Sequence, residues 1–415
     1  MKKVNSLLMA LFFILCAIYI IWVSTQRPRV FVLQSYTNDY LWTHDVDIAI
    51  RRTFKGTRYN VKYHYMDTKE HPGEDFKRIA GSLARKQIGA WKPDILIAVD
   101  DNAQSLVAIC YLDKSKLSPG PEPSVMKNEY SRSIFGECFE SHRDMQILYA
   151  GIGANPEDYG FENQPHVSGI LERLDVLAMR DVIVAISEVL GIRDLEITAP
   201  IDNSVSGGYN LDSLMQLKFL LERRGHFTLT PRVIDTFDEW SEMVEETNKY
   251  SDLLLFSNYH TVMCSDKPDA KRVNPQELIK WTDAHSIIPG IGGWGFYTDD
   301  GGMMAVGVSP YEQGEVVAGM AKKIIEGNLQ ASEVSIRTTR QSVISMREGL
   351  MRYYYDKNLP RVYEASARSV GQYYECQDQG ELSLNGNYSP DHCKMDVEKI
   401  RERKQKAITD FHICQ

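Results

Sequence analysis

Two carboxylates and an amide, Asp100, Asp101 and Asn102, follow without a break on the apolar run 95–99, "ILIAV". A carboxylate pair can neutralise an ammonium group or accept from sugar hydroxyls, and the amide both donates and accepts. The run before them has no alternating polar face, so it reads as a strand buried on both sides, as in a parallel sheet under helices. The polar cluster is then expected at the carboxyl edge of that sheet, where open doubly wound sheets bind their ligands. Ser35 and Tyr36 end the first strand in the same way; Asp202, Asn203 and Ser204 end "EITAPIDN", and Ser257, Asn258 and Tyr259 end "LLLFSN". Tyr36, Tyr40, Trp42, Tyr259 and Trp294 are aromatic candidates for flanking a planar ring, a sugar or a cation. The expected ligand-binding set is Ser35, Tyr36, Trp42, Asp101, Asn102, Asn203, Ser257, Tyr259 and Trp294, with Asp100 as a helix cap. For Trp42, close to a helix start, the blander reading is core packing.

Signals for catalysis are missing. HExxH, GxSxG and GxxxxGK followed by Ser or Thr do not occur, and the ten histidines are scattered. Asp100 and Asp101 make a poor acid/base pair, because neighbouring residues of a strand point to opposite faces. "GIGGWG", 290–295, fits GxGxxG, but no helix is expected after it, so its glycines read as hinge or loop backbone rather than a dinucleotide fingerprint. Glu312 at the start of a long helical stretch reads as a dipole-favoured capping acid. His392 with Cys393, and His412 with Cys414, together with Cys376, raise the question of zinc; their irregular spacing favours disulfides. No catalytic residue, metal or cofactor is expected, and the chain is not read as an enzyme.

The elements that position these residues alternate in type. From residue 29, strand patterns ("RVFVLQS", "YNVKYHYM", "PDILIAVD", "MQILYAGIG") are separated by helical ones ("HDVDIAIRRTF", "GEDFKRIAGSLARKQI"), the grammar of right-handed crossovers and a parallel sheet. The same grammar resumes from "RLDVLAMRDVIVAISEVLG". The expected fold class is α/β, two Rossmann-like lobes with parallel sheets joined by a hinge, plus an N-terminal transmembrane helix. Boundaries are expected at 29–155 for lobe 1, with an inserted Pro-rich loop at 111–143, and at 156–298 for lobe 2. Residues 299–335 return to lobe 1, 336–368 close at the hinge or lobe 2, and 369–415 form a Cys-containing appendage. At 415 residues the chain is too long for one ordinary core.

Residues 1–28 hold Lys2 and Lys3 ahead of seventeen uncharged apolar residues, 7–23. That is just enough for a bilayer span, and "VSTQ" after it is a poor cleavage site, so a retained membrane anchor is favoured over a removed signal. Everything beyond it is expected outside the cytoplasm. Apart from Cys16, the cysteines are Cys110, Cys138, Cys264, Cys376, Cys393 and Cys414. An even number in an exported chain permits disulfides whose pairing cannot be read off. Cys110 with Cys138 would staple the insertion, two of the last three the tail, and Cys264 is as readily a buried free thiol. The net charge of −9 and the lack of a Lys/Arg block exclude a nucleic-acid surface.

"VFVLQSYTNDYLWTHD", "YHYMDTKEHPGEDF", "KPDILIAVDDNA", "ILYAGIGANPEDYGF", "VGVSPYEQGEVVAGMAKKIIEG" and "LPRVYEASAR" stand in an order that resembles a family of ABC-type substrate-binding proteins, over about 29–368. The chain looks like the periplasmic component of an uncharacterised ABC transport system, and is also similar to the sensor domains of bacterial histidine kinases. The resemblance implies a type I periplasmic-binding-protein fold whose two lobes close over a small ligand. It implies an extracytoplasmic protein on the periplasmic side of the inner membrane, delivering its ligand to an ABC permease, or else reporting occupancy to a separate membrane sensor protein. Aromatic amino acids are the first ligand class; sugars and nucleosides remain open. The 111–143 insertion, the Cys-containing tail and the uncleaved anchor depart from the family.

Overall fold

The structure is a computed structural model. It describes residues 27–347 except 72, 117–144, 204, 268 and 269, together with 9, 11–16, 18, 19, 360–374 and 414. The chain opens with β1 (Arg29–Gln34), α1 (Leu41–Phe54), β2 (Asn60–Tyr65), α2 (Glu74–Trp91), β3 (Ile95–Val99), α3 (Asp101–Leu106), β4 (Gln146–Ile152) and β5 (Val167–Leu171). Then come α4 (Val176–Leu190), β6 (Leu195–Asp202), α5 (Val205–Glu222), β7 (Phe227–Ile234), α6 (Phe237–Thr247), β8 (Leu253–Phe256), α7 (Pro275–His285), β9 (Gly290–Gly292), α8 (Phe296–Asp299) and β10 (Met304–Val308). The last are α9 (Pro310–Gly327), β11 (Arg337–Thr338), β12 (Ser342–Arg347), α10 (Arg361–Ser369) and β13 (Tyr373–Tyr374).

These elements form two compact units, 1–172 with 310–338 and 173–309 with 339–415. The first crossing thus falls later than the expected 155/156, because β5 pairs in parallel with β4 and stays in unit 1. The return at 310 is later than the expected 299, because β10 pairs with β9 and β12 in the sheet of unit 2.

The unit 1 sheet has the order β11-β5-β4-β3-β1-β2, all parallel. Its core holds Val30, Val32, Ile95, Ile97 and Leu148 from the strands, against Val46 and Ile50 of α1 and Val317 and Ala321 of α9. Gly314 lets α9 close on α1, since a Cβ there would stand 2.4 Å from the Val46 carbonyl oxygen. Helix α2 starts with Glu74 and Asp75, favoured at the positive end of its dipole, and buries Ala80, Ala84 and Ile88 at helical spacing.

The unit 2 sheet has the order β13-β12-β10-β9-β8-β6-β7. It is mixed rather than purely parallel: β12 runs antiparallel to β10. Its helices are capped as their sequences suggest. Asp175 accepts from the Leu177 and Ala178 amides ahead of α4, Thr236 and Glu239 form a capping box on α6, and Asn274 caps α7. "GIGGWG" departs from expectation. Gly290 and Gly292 belong to strand β9, and the short helix α8 follows. A Cβ on Gly292 would stand 2.4 Å from that of Tyr297, so these glycines admit an aromatic ring rather than form a hinge.

Cys264 is bonded to Cys414 within unit 2, with 5.3 Å between Cα atoms. This replaces the free-thiol reading of Cys264 and takes Cys414 out of any zinc set. Cys110 is also disulfide-bonded; Cys138, Cys376, His392, Cys393 and His412 lie outside the described residues. Of the expected anchor, only 9, 11–16, 18 and 19 are described, as helix. Among the described residues no helix is long and apolar enough to cross a membrane.

Candidate functional site

Both sheets contain the order 2-1-3-4-5 of a doubly wound fold, β2-β1-β3-β4-β5 in unit 1 and β7-β6-β8-β9-β10 in unit 2. In such a sheet the order reverses between the first and third strands, and a crevice opens beyond their carboxyl ends. The switch points are therefore β1/β3 and β6/β8. Ser35, Tyr36, Asp101 and Asn102 lie at the first; Asn203, Ser257 and Tyr259 lie at the second.

At the unit 1 edge, Ser35 is fully buried. Its hydroxyl donates to the Val99 carbonyl (2.7 Å) and accepts from the Ala103 amide (2.9 Å), so it ties the two strand ends together. Asn102 is half-buried and donates to Thr68 Oγ1 (2.9 Å), which donates to the Ser35 carbonyl (2.7 Å). Asp101 accepts from the Tyr159 hydroxyl at 2.5 Å. Tyr36 meets Tyr40 edge-on, with ring centroids 5.4 Å apart. The Lys69 ammonium lies 3.8 Å from the Tyr40 centroid and 5.2 Å from that of Tyr36, and donates to the Tyr40 hydroxyl. Trp42 is half-buried against the unit 1 core.

Asp100, expected as a helix cap, occupies the N-cap position of α3, but its side chain makes no capping bond. Its backbone, at φ 68° and ψ 164°, lies in a region almost reserved for glycine, at a cost of about 1–3 kcal/mol. Its backbone N–H donates a hydrogen bond to the Ala150 carbonyl (2.9 Å), beside Gly151 at φ 64°. The residue is 8% exposed. Its Oδ2 and the Trp42 Nε1 each lack a hydrogen bond of normal length. Burial, and then the charge of Asp101, push the Asp100 carboxyl up to about 8; Lys69, the Tyr36 hydroxyl and the Trp42 indole approach closely enough to oppose the rise. Burial and the charge of Asp100 in turn raise Tyr36 well above the usual phenol value.

At the unit 2 edge the buried acids are matched. Asp202 donates its amide to the Asn258 carbonyl (2.8 Å) and accepts from the Thr261 amide (3.1 Å). Asn258 Oδ1 accepts from Asn210 (2.5 Å) and from the Ser257 hydroxyl (3.3 Å). Tyr259 is 1% exposed, packed among Trp240, Phe256 and Phe296, and its hydroxyl donates to Asp300 Oδ2 (2.7 Å). His260 Nε2 stands 3.0 Å from the same oxygen. Trp294 is also buried, stacked on Phe296 at 6.4 Å, and its Nε1 has no hydrogen-bond partner. Asn203 is exposed.

Lys69, Tyr159, His260 and Asp300 were not singled out from the sequence. Tyr159 reaches Asp101 from the connection after β4, and Asp300 reaches Tyr259 across 41 residues, so no local pattern announces either. Lys69 does follow directly on β2, and the strand order, once known, would have pointed to it. Among the described residues no group of three or more His, Cys, Asp and Glu is placed to hold a metal ion.

No family model and no curated protein matches the chain. Solved structures do match it in fold. A conserved domain protein from Vibrio cholerae aligns at a TM-score of 0.54 and 14% identity, over 82% of this chain and 98% of that one. An ABC domain from Streptococcus pneumonia in complex with L-Trp aligns at 0.53 and 11%, over 82% and 98%. A ligand-free, open substrate-binding protein with adhesive properties from Clostridium difficile aligns at 0.54 and 12%, over 80% and 96%. At these identities the likeness is one of fold, and the two α/β units fit the type I periplasmic-binding-protein fold.

Proposed function

We propose that the protein is an extracytoplasmic solute-binding protein that takes a small organic ligand at the carboxyl edges of its sheets and supplies it to an ABC permease. The observation that carries this reading is Asp100: a buried carboxyl in a glycine-type backbone conformation, at the switch point of the unit 1 sheet. Strain at such a position is a cost that ligand binding would offset. Ser35, Tyr36, Trp42, Asp101 and Asn102 would serve the ligand at the unit 1 edge, and Asn203, Ser257, Tyr259 and Trp294 at the unit 2 edge. The L-Trp held by the Streptococcus domain makes an aromatic amino acid the first ligand to try. The apolar run 7–23 would tether the protein to the inner membrane, and cell fractionation with and without residues 1–28 tests that.

Native mass spectrometry of the soluble portion purified from its source, followed by thermal-shift screening of whatever is released, tests the main reading. Asp101→Ala combined with Asn102→Ala should abolish the ligand-induced shift and leave the unliganded melting temperature within a few degrees. An unchanged response would remove this cluster from the pocket.

A further inference from the structure

The two ends of the unit 1 sheet differ in charge. Strands β1, β2 and β3 run parallel, with Arg29 beside Asn60 and Val30 beside Ile95, so the segments leading into them, 27–29, 52–60 and 92–94, share the amino end. They are tied together there. The Asn60 N–H donates to the Pro28 carbonyl (2.8 Å), the Asp94 N–H to the Arg29 carbonyl (2.9 Å), and the Arg29 N–H to Asp94 Oδ2 (2.7 Å). Five exposed cations stand on these segments, Arg27, Arg52, Lys55, Arg58 and Lys92, and none of them makes an ion pair among the described residues. Asp94 is the one acid in the three segments. Glu326 reaches the same corner by accepting from the Tyr59 hydroxyl (3.1 Å). A helix C-terminus favours cations, which accounts for Arg52 and Lys55 at the end of α1 and for Lys92 after α2. It does not account for Arg27 and Arg58, nor for five cations gathered at one end in a chain of net charge −9.

A covalent constraint acts on the same end. Residues 24–28 alone separate the apolar run 7–23 from β1, and so short a stretch reaches at most about 20 Å. With that run in a bilayer, the amino end of the unit 1 sheet is held within this reach of the lipid headgroups. We propose that this end is a docking face for anionic phospholipid, its five cations set against the headgroup phosphates of the membrane that carries the run. This rests on the tether put forward above, and adds which face of unit 1 meets the membrane. Each Lys or Arg brought close to an anionic surface strengthens attachment about fivefold. Strand β1 then leads away from the lipid, and its carboxyl end, where Ser35 and Asn102 stand, lies about 20 Å further out. Docking by the amino end thus points the ligand edge away from the bilayer.

The test uses the full chain in nanodiscs of phosphatidylcholine, alone or with phosphatidylglycerol, and an uncharged lysine reagent, formaldehyde with a borane, read by mass spectrometry. Lys55 and Lys92 report on the docking face; Lys77, about 20 Å along α2 from Lys92, is the control. In anionic discs at low salt, methylation of Lys55 and Lys92 should be about fivefold slower than in neutral discs, and that of Lys77 unchanged. The difference should vanish at about 0.5 M salt and in the double variant Arg52→Glu, Arg58→Glu. Arg27→Gln with Arg58→Gln, which leaves the end of α1 intact, serves as the second variant and should lose most of the slowing. Equal rates in the two lipids, equal slowing of Lys77, or slowing that survives salt and both variants overturns the docking face and leaves the tether standing. If the chain does not enter the discs, the tether falls, and sedimentation with preformed vesicles of the same lipids decides the face. Salt-sensitive pelleting with the anionic vesicles alone upholds it; pelleting with neither, or with both equally, ends it.

Discussion

The two carboxyl edges share a strand order and differ in how their buried acids are treated. In unit 2, Asp300 is met by the Tyr259 hydroxyl and the His260 ring, and Asp202 by a backbone amide. In unit 1, Asp100 sits in a backbone conformation suited to glycine, with its pKa pushed up to about 8 by burial and by the charge of Asp101. The acids of one edge are held in relaxed hydrogen bonds; the acid of the other is held in a strained backbone. A shared topology therefore does not fix the state of an edge: the strained acid lies at only one of the two.

The largest expected effect is on unliganded stability against pH. Asp100 has a raised pKa in the folded state, about 8 against an ordinary value of 3.8. The folded chain thus binds more protons between those values, and the stability tied to this proton is complete below pH 4 and lost as pH rises to 8. Urea unfolding should show a wild-type slope of up to about 1.4 kcal/mol per pH unit in that window, beyond whatever Asp100→Asn retains. Identical slopes in the two proteins would remove the contrast between the edges.

Asp300→Ala acts in the opposite sense. It leaves the Tyr259 hydroxyl, on a residue 1% exposed, without its acceptor, and should lower stability by about 1–3 kcal/mol, measured by the same unfolding at pH 7. A loss within a few tenths would mean that the unit 2 edge is not held by this network. The smallest effect is expected of Ser35→Ala, about 1 kcal/mol, from loss of its bonds to Val99 and Ala103. If Ser35→Ala changed ligand affinity at unchanged stability, the hydroxyl would be a ligand contact rather than a tie between strands.

The alternation of period-2 and period-3.6 apolar patterns was legible along most of the chain, because each buried strand and amphipathic helix carries its burial in its own residues. Strands β5 and β12 were not singled out. β5 is short and includes Ser168 and Gly169, and a Cβ on Gly169 would collide with Tyr149, so its composition reflects a close neighbour rather than strand propensity. β12 departs from the expected parallel pattern by pairing antiparallel with β10, a choice made by the sheet it joins.

Chain order alone brought Ser35 and Tyr36 together with Asp101 and Asn102, since polar residues at the carboxyl ends of adjacent parallel strands must share an edge. What each does there was decided by tertiary structure. Tyr259 and Trp294, taken from the sequence as ligand walls, are buried at 1% and 8% exposure, while Asp100, taken as a cap, makes no capping bond. The physical reason is that burial and hydrogen-bond satisfaction depend on groups far along the chain, such as Asp300 for Tyr259 and Lys69 for Asp100. No local pattern of residues records those distances.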